Sequence, residues 1–476
     1  LGLMALFPGA RVGVELAAIF LLFTSMAWNM VLGFYQSLCG IPKDLQEASD
    51  VFQLSKWKRF WVLELPAGAV GLVWNSIISI AGGWFFLISI ESFELGSQDF
   101  RLPGLGSFLA AAAEVADYRA IGWGLLTVVS LIVVTDFFIW RPLIAWSSKF
   151  TFSSSRHLES EPSSTVANYL HRSNVVRQLT KRVHPLWNSF VDLPFRPRKR
   201  QVLEAGKFPL SRIGRNLRVS TKALTAMAHV LRTICLVGLA MAVGFGVLRS
   251  SQILSALPMA QWKELAYSAA ITFGRIAAAL SMSLVWAIPA GVAIGRNPRT
   301  AAVFQPIVQI AASVPATALF PFLLLALSRI GGGLQIGSIA LMMLGTMWYI
   351  LFNVIAGAQA IPSELFEVDQ IYGKGSGWIR WTKLILPGIF PYLITGIVTA
   401  VGGAWNASIV SEYVTFQGGV LKARGLGCII SEAAASGNYP LLLAGTIVMS
   451  VLVLLTNRLV WGPLYRLAQD KYRILS

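Results

Sequence analysis

Ile361 to Pro387, IPSELFEVDQIYGKGSGWIRWTKLILP, is a polar, charge-bearing segment between two long apolar runs. A weaker copy, IPKDLQEASDVFQLSKWKRFWVLELP, stands at Ile41 to Pro66. Both open on Ile-Pro and close on Leu-Pro. Between apolar runs such a segment reads as an exposed loop of a membrane protein, and its Lys and Arg residues place it on the cytoplasmic side. Proline is tolerated in a first helical turn and breaks a helix interior, so the two prolines are expected to bracket a short helix outside the bilayer.

The flanking runs set the class. Hydrophobic residues make up 55% of the 476, charged residues 13%, and the mean hydropathy is +0.64, which excludes an ordinary soluble globule. Apolar stretches of about 20 residues are long enough to cross a bilayer as helices. Nine are present, near 14–37, 67–91, 120–145, 226–249, 266–295, 301–328, 335–359, 388–411 and 440–463. The period-2 alternation of a β-barrel is absent. The fold class is all-α, a polytopic helical membrane protein in contact with the lipid bilayer.

The net charge of +17 is concentrated: 16 Lys and Arg against 4 Asp and Glu lie between Arg141 and Lys222. This polar stretch reads as a basic cytoplasmic linker, 147–225, joining an N-terminal part, 1–146, to a C-terminal part, 226–476. Aromatic residues are not interleaved with its cations as base stacking requires, so no nucleic-acid partner is expected. Cys39, Cys235 and Cys428 are scattered, and three of the four histidines lie in the linker, leaving no cluster for a metal site or a nucleophile. No GxxxxGK[ST] loop occurs. The chain is therefore read as a non-enzyme without metal or cofactor.

Superposed on itself, the chain repeats. From Trp57 onward an offset of 321 pairs Trp57 with Trp378, Pro66 with Pro387, Trp84 with Trp405, Glu91 with Glu412, Gly104-Leu105-Gly106 with Gly425-Leu426-Gly427, and Trp140 with Trp461. Upstream the offset is 320, pairing Pro42 with Pro362 and Glu47 with Glu367. Six spans separate matched points. An even number makes the repeats parallel, which sets the chain apart from inverted-repeat transporters. The first copy holds three spans and the second six. Leu1 is not an initiator Met, and the first half is expected to be a fragment.

The polar segments resemble the EAA loop of binding-protein-dependent ABC importer permeases. Pro42, Glu47-Ala48-Ser49 and Leu65-Pro66 supply the pattern in the first copy, and Pro362, Glu367-Val368-Asp369, Gly373 and Leu386-Pro387 in the second. Gln53 stands where the loop's glycine is expected in the first copy. Arg275, Ser313-Val314-Pro315-Ala316, Ile330-Gly331, Glu412 and Gly425-Leu426-Gly427 are similar to the nitrate/sulfonate/taurine branch. The resemblance implies a type I ABC importer architecture in a bacterial inner membrane. It also implies a solute pathway between two permease halves, two copies of an ATP-binding cassette ATPase docked on the loops, and a soluble substrate-binding protein. The solute would be small and often anionic. Glu47, Ala48, Ser49, Glu367, Val368, Asp369 and Gly373 would couple to the ATPase.

Charges inside spans are costly and often functional. Arg275 could face the pathway, where a fixed cation attracts an anion, or snorkel outward. Glu91 and Glu412, matched at the outer ends of their spans, could meet the substrate-delivery protein or cap a helix end. Two rival functions remain at this point: a secondary transporter driven by an ion gradient, and a membrane scaffold or sensor whose basic linker holds a partner.

Overall fold

A computed structural model describes residues 11–95, 98–150, 166, 181–182, 185, 187, 190–191, 214–328, 333–372, 377–416 and 419–471. The chain divides into two compact units, Leu1–Leu193 with Lys263–Ser476, and Pro194–Trp262. The smaller unit contains one long helix, Gly214–Ser255, whose apolar side chains, among them Ile234, Met241 and Phe245, are exposed. Such a surface suits acyl chains rather than water.

In the larger unit the repeat is reproduced element by element. The first copy runs α1 (Arg11–Cys39), α2 (Lys43–Val51), α3 (Lys56–Arg59), α4 (Leu65–Glu91), β1 (Ser92–Leu95), β2 (Gln98–Arg101), α5 (Leu105–Glu114), α6 (Tyr118–Thr135) and α7 (Arg141–Ser147). With the helix of the smaller unit as α8, there follow α9 (Met259–Gly295), α10 (Pro298–Ser313) and α11 (Ala316–Ser328). The second copy is α12 (Gly333–Gln359), α13 (Ser363–Tyr372), α14 (Gly377–Arg380), α15 (Leu386–Ser411), β3 (Tyr413–Phe416), β4 (Gly419–Lys422), α16 (Leu426–Ala435), α17 (Tyr439–Thr456) and α18 (Gly462–Lys471). Even the antiparallel hairpins share a register: Ser92 faces Arg101, and Tyr413 faces Lys422.

Among the described residues eight helices are long and apolar enough to cross a membrane, and a bent pair makes a ninth candidate. The apolar stretch expected over 301–328 is thus present as two arms and not as one continuous helix. Its two arms, Arg299–Ser313 and Ala316–Leu324, meet at 78°. Pro315 is the cause, because a residue that precedes proline is pushed out of the helical region, and Val314 sits at ψ 126.

A correction concerns the polar segments. Instead of one helix closing at Leu-Pro, the first contains α2, a break at Phe52–Leu54, and α3, which runs on through Leu65-Pro66 into α4. The proline is accommodated by a π turn, Phe60–Glu64, that ends two residues ahead of it, with the Leu65 N–H donating to the Phe60 carbonyl. Widening the helix by one residue removes the clash between the proline ring and the preceding turn. The same device precedes Pro387 (Trp381–Ile385), Pro142 (Asp136–Trp140) and Pro463 (Asn457–Trp461). Four prolines in membrane-length helices thus produce four π turns, paired by the repeat.

The tightest packing joins α12 to α15, around Ile350, Ile389, Ala400 and Trp405, all 2% exposed or less. A glycine permits it: a Cβ on Gly396 would lie 2.9 Å from the Asn353 Cβ and 3.1 Å from the Tyr349 carbonyl. In the first half, Leu109, Ile121, Val128 and Ile132 form a core that also receives Ala318 of α11.

Candidate functional site

Each polar segment is anchored at its start and clasped at its end. Ile41 and Ile361 are both 6% exposed and fix the entry to α2 and α13. At the far end Arg59, at the close of α3, pairs with Asp50 at 3.2 Å and with Glu64 at 3.1 Å. Its counterpart Arg380 pairs with Asp369. Arg296, in the turn before α10, stacks over the Phe366 ring at 4.7 Å and holds α13 from another side. These ion pairs tie each short helix to the residues that open the following span. The two arginines are matched at an offset of 321. That signal was available in the sequence, but their partners were not, since Asp50 and Asp369 sit at different distances ahead of them.

Of the residues assigned to coupling, Glu47, Glu367 and Val368 are exposed, and Ala48 is half-buried. Ser49 is buried and donates to the Gln46 carbonyl at 2.7 Å. Asp369 is engaged by Arg380, and Gly373 lies outside the described residues. Gln53, at the expected glycine position of the first copy, has φ 49. A left-handed residue is therefore required there, and the glutamine adopts it at a cost of roughly 1 kcal/mol. Around the clasps large apolar side chains stand in the open: Val51 and Phe52 in the first segment, Ile371 and Trp378 in the second. Apolar groups clustered on an otherwise polar segment mark a surface for a protein partner.

At the opposite ends of α4 and α15 a carboxylate closes each half. Glu91 accepts the N–H groups of Gly106 at 2.6 Å and Ser107 at 3.2 Å, at the start of α5. Glu412 accepts those of Gly427 at 2.9 Å and Cys428 at 3.3 Å, at the start of α16. A carboxylate there satisfies orphan donors and the positive helix end together. A Cβ on Gly104 or Gly425 would come within 2.2 Å of the respective Glu oxygen, so a larger residue fits only if that carboxylate moves. In the second half α9 adds Thr272, donating to Glu412 at 2.8 Å and accepting from the Leu426 N–H at 2.8 Å, and Arg275 at 2.7 Å from Glu412. Arg275 also donates to Gln335. Burial pushes the Glu412 carboxyl above the ordinary carboxylate range, opposed by the hydrogen bonds from Arg275 and Thr272. Thus two residues expected at the pathway or at an external partner, Arg275 and Glu412, are brought together, and the charge of one is taken up by the other. Thr272 and Gln335 carried no sequence signal.

Between the halves lies a cavity of about 360 Å³. Repeat-related residues line it from both sides: Ile88 and Ile409, Ser92 and Tyr413, Leu109 and Ile430, Ala113 and Ala434. Thr317 and Phe320 of α11 complete the wall, and Arg101, paired with Glu114 at 2.7 Å, contributes a cation. Further along α4, at Gly82 and Phe86, the halves close around a space of about 30 Å³ beside Tyr349 and Phe352. The lining is largely apolar, with hydroxyls and one charged pair. Among the described residues no group of acidic, His or Cys side chains could hold a metal ion.

Comparison with known proteins agrees with this architecture. The model of the family described as "binding-protein-dependent transport system inner membrane component" matches residues 4–140 and 283–460. The nitrate import permease protein of Leptolyngbya laminosa is 29% identical over 204 residues, 43% of this chain and 69% of the relative. The taurine transport system permease protein of Escherichia coli is 26% identical over 194 residues, 41% and 65% of the two chains. The bicarbonate transport system permease protein of a Synechocystis strain is 29% identical over 172 residues, 36% and 56%. The chain thus spans 56% to 69% of the length of these relatives. Two matched regions, one over the first structural copy and one running from α9 through most of the second, together cover more than half of the residues and place this chain in the binding-protein-dependent transport system inner membrane component family.

Proposed function

We propose that the chain is the membrane-spanning subunit of an importer, in which two halves enclose the solute pathway and separate ATP-binding cassette ATPase subunits drive it from below. The observation that carries this reading is the duplicated clasp: two short helices, each fastened by an arginine to the foot of the next span and each ringed by open apolar side chains. A push on such a helix tilts the span. The chain supplies no ATP-hydrolysing site of its own, and one ATPase per polar segment gives two copies. A soluble binding protein would deliver solute to the face bearing the hairpins, in a bacterial inner membrane.

The relatives' names specify nitrate, taurine, bicarbonate and aliphatic sulfonates. A small solute is consistent with the cavity's hydroxyls and with the Arg101–Glu114 pair at its wall, while the charge of Arg275 is taken up by Glu412. Crosslinking tests the coupling. With the native cysteines replaced by serine, Val51→Cys and Val368→Cys, both exposed, each capture an ATPase subunit in membranes. Capture from neither overturns the reading. Glu367→Lys leaves the chain inserted and separates ATP hydrolysis from uptake.

A further inference from the structure

The basic linker returns to the first polar segment. Trp187 and Phe190 lie against Trp57 and Trp61: ring centroids are 5.3 Å apart for Trp57 and Phe190, 5.0 Å for Trp61 and Trp187, and 5.5 Å for Trp61 and Phe190. The Trp57 indole Nε1 donates to the Phe190 carbonyl at 3.0 Å, and Val191 beside them is buried to 7% exposure. The stack continues inward, since Phe60 meets Trp61 at 5.2 Å and Phe34 of α1 at 6.3 Å.

The location is mechanical. Trp57 belongs to α3 and Trp61 to the π turn, which together form the joint between α2 and α4. Among the described residues the second copy has no such cover: Trp378, the repeat of Trp57, is 78% exposed, and Thr382 stands at the place of Trp61. Two polar segments with the same clasp therefore have differently braced joints.

We propose that Trp187, Phe190 and Val191 form a hook that makes the linker a working part of coupling, stiffening the first joint so that the two segments pass an ATPase's movement to their spans unequally. Edge-to-face aromatic pairs resist bending because their attraction depends on ring geometry as well as on contact area. The π turn interrupts the regular hydrogen-bond ladder at this joint, and the aromatic brace lies directly against it. The role in coupling rests on the function proposed above; the docking of the linker does not.

Limited chymotrypsin digestion of the full chain in nanodiscs tests the docking. Cleavage at Trp187 and Phe190 is slow in the native chain and roughly tenfold faster in Trp57→Ala, the change one aromatic pair supports. Equal rates in the two overturn the hook. Coupling is read in proteoliposomes holding the chain with its ATPase and binding protein. Trp187→Ala with Phe190→Ala lowers solute transported per ATP hydrolysed about threefold or more, while Phe190→Tyr alone, which keeps the ring, leaves it at the native value. An unchanged ratio with protected rings overturns the coupling role and leaves the docking. Failure of Val51→Cys and Val368→Cys to capture an ATPase removes the underlying reading, and the digestion result stands apart from it.

Discussion

Arg275 and Glu412, 137 residues apart in the chain, meet at 2.7 Å in a buried ion pair that ties α9 to the junction of α15 and the second hairpin. Arg275 is 7% exposed and Glu412 not at all. Two buried opposite charges stabilise little as a pair, but either one alone is expensive. Arg275→Gln or Glu412→Gln is therefore expected to destabilise the protein by about 3–5 kcal/mol, read as a lowered midpoint in thermal unfolding in detergent. Arg275→Met with Glu412→Gln, which removes both charges and keeps an acceptor for the Gly427 and Cys428 N–H groups, recovers part of that loss. If Arg275→Gln leaves stability intact and abolishes anion uptake, the arginine serves the solute instead.

The glycines that shield the two carboxylates separate the halves energetically. Gly425→Ala drives a methyl into Glu412, which is wholly buried, whereas Gly104→Ala meets Glu91, which is half-buried and able to swing. The expected cost is about 2–4 kcal/mol for Gly425→Ala and less for Gly104→Ala, by the same unfolding measurement. Equal losses would show that Glu91 is held as rigidly as Glu412.

Ala116 and Gly437 occupy the same place in the two copies and both have positive φ, 53 and 69. An alanine bears a steric penalty there that a glycine does not. Ala116→Gly is expected to stabilise the protein by roughly 1 kcal/mol and Gly437→Ala to destabilise it by a similar amount. The signs are the check, since a general preference for alanine over glycine would reverse both.

Arg59→Ala and Arg380→Ala release α2 and α13 from the spans that follow. Both arginines are partly exposed, so the loss of stability is within about 1 kcal/mol. Transport per ATP hydrolysed falls while ATPase capture at Val51→Cys and Val368→Cys persists. Unchanged stoichiometry in both variants would mean that the clasps do not transmit force.

Much of this was legible in the chain. The offset that pairs Trp84 with Trp405 and Glu91 with Glu412 returns in three dimensions as paired helices, hairpins of one register and paired π turns, because apolar runs of span length and prolines act locally and repeat wherever the residues repeat. Gln53 marked a glycine position and has positive φ. The apolar stretch over 301–328 is there, but its bend at Pro315 was not read, because hydropathy counts apolar residues and is blind to backbone direction.

What the sequence by itself determined is whatever depends on neighbouring residues: membrane-length helices, two copies, and a polar segment in each. Which distant groups would meet was decided only by tertiary structure. Arg275 read as a lone charge in a span until Glu412 was found beside it, and the linker read as a uniform solvated connector until Trp187 and Phe190 were found on Trp57 and Trp61. Charge pairing and ring stacking are short-ranged and indifferent to separation along the chain, so a residue's type announces its need for a partner, and only the packing of helices supplies one.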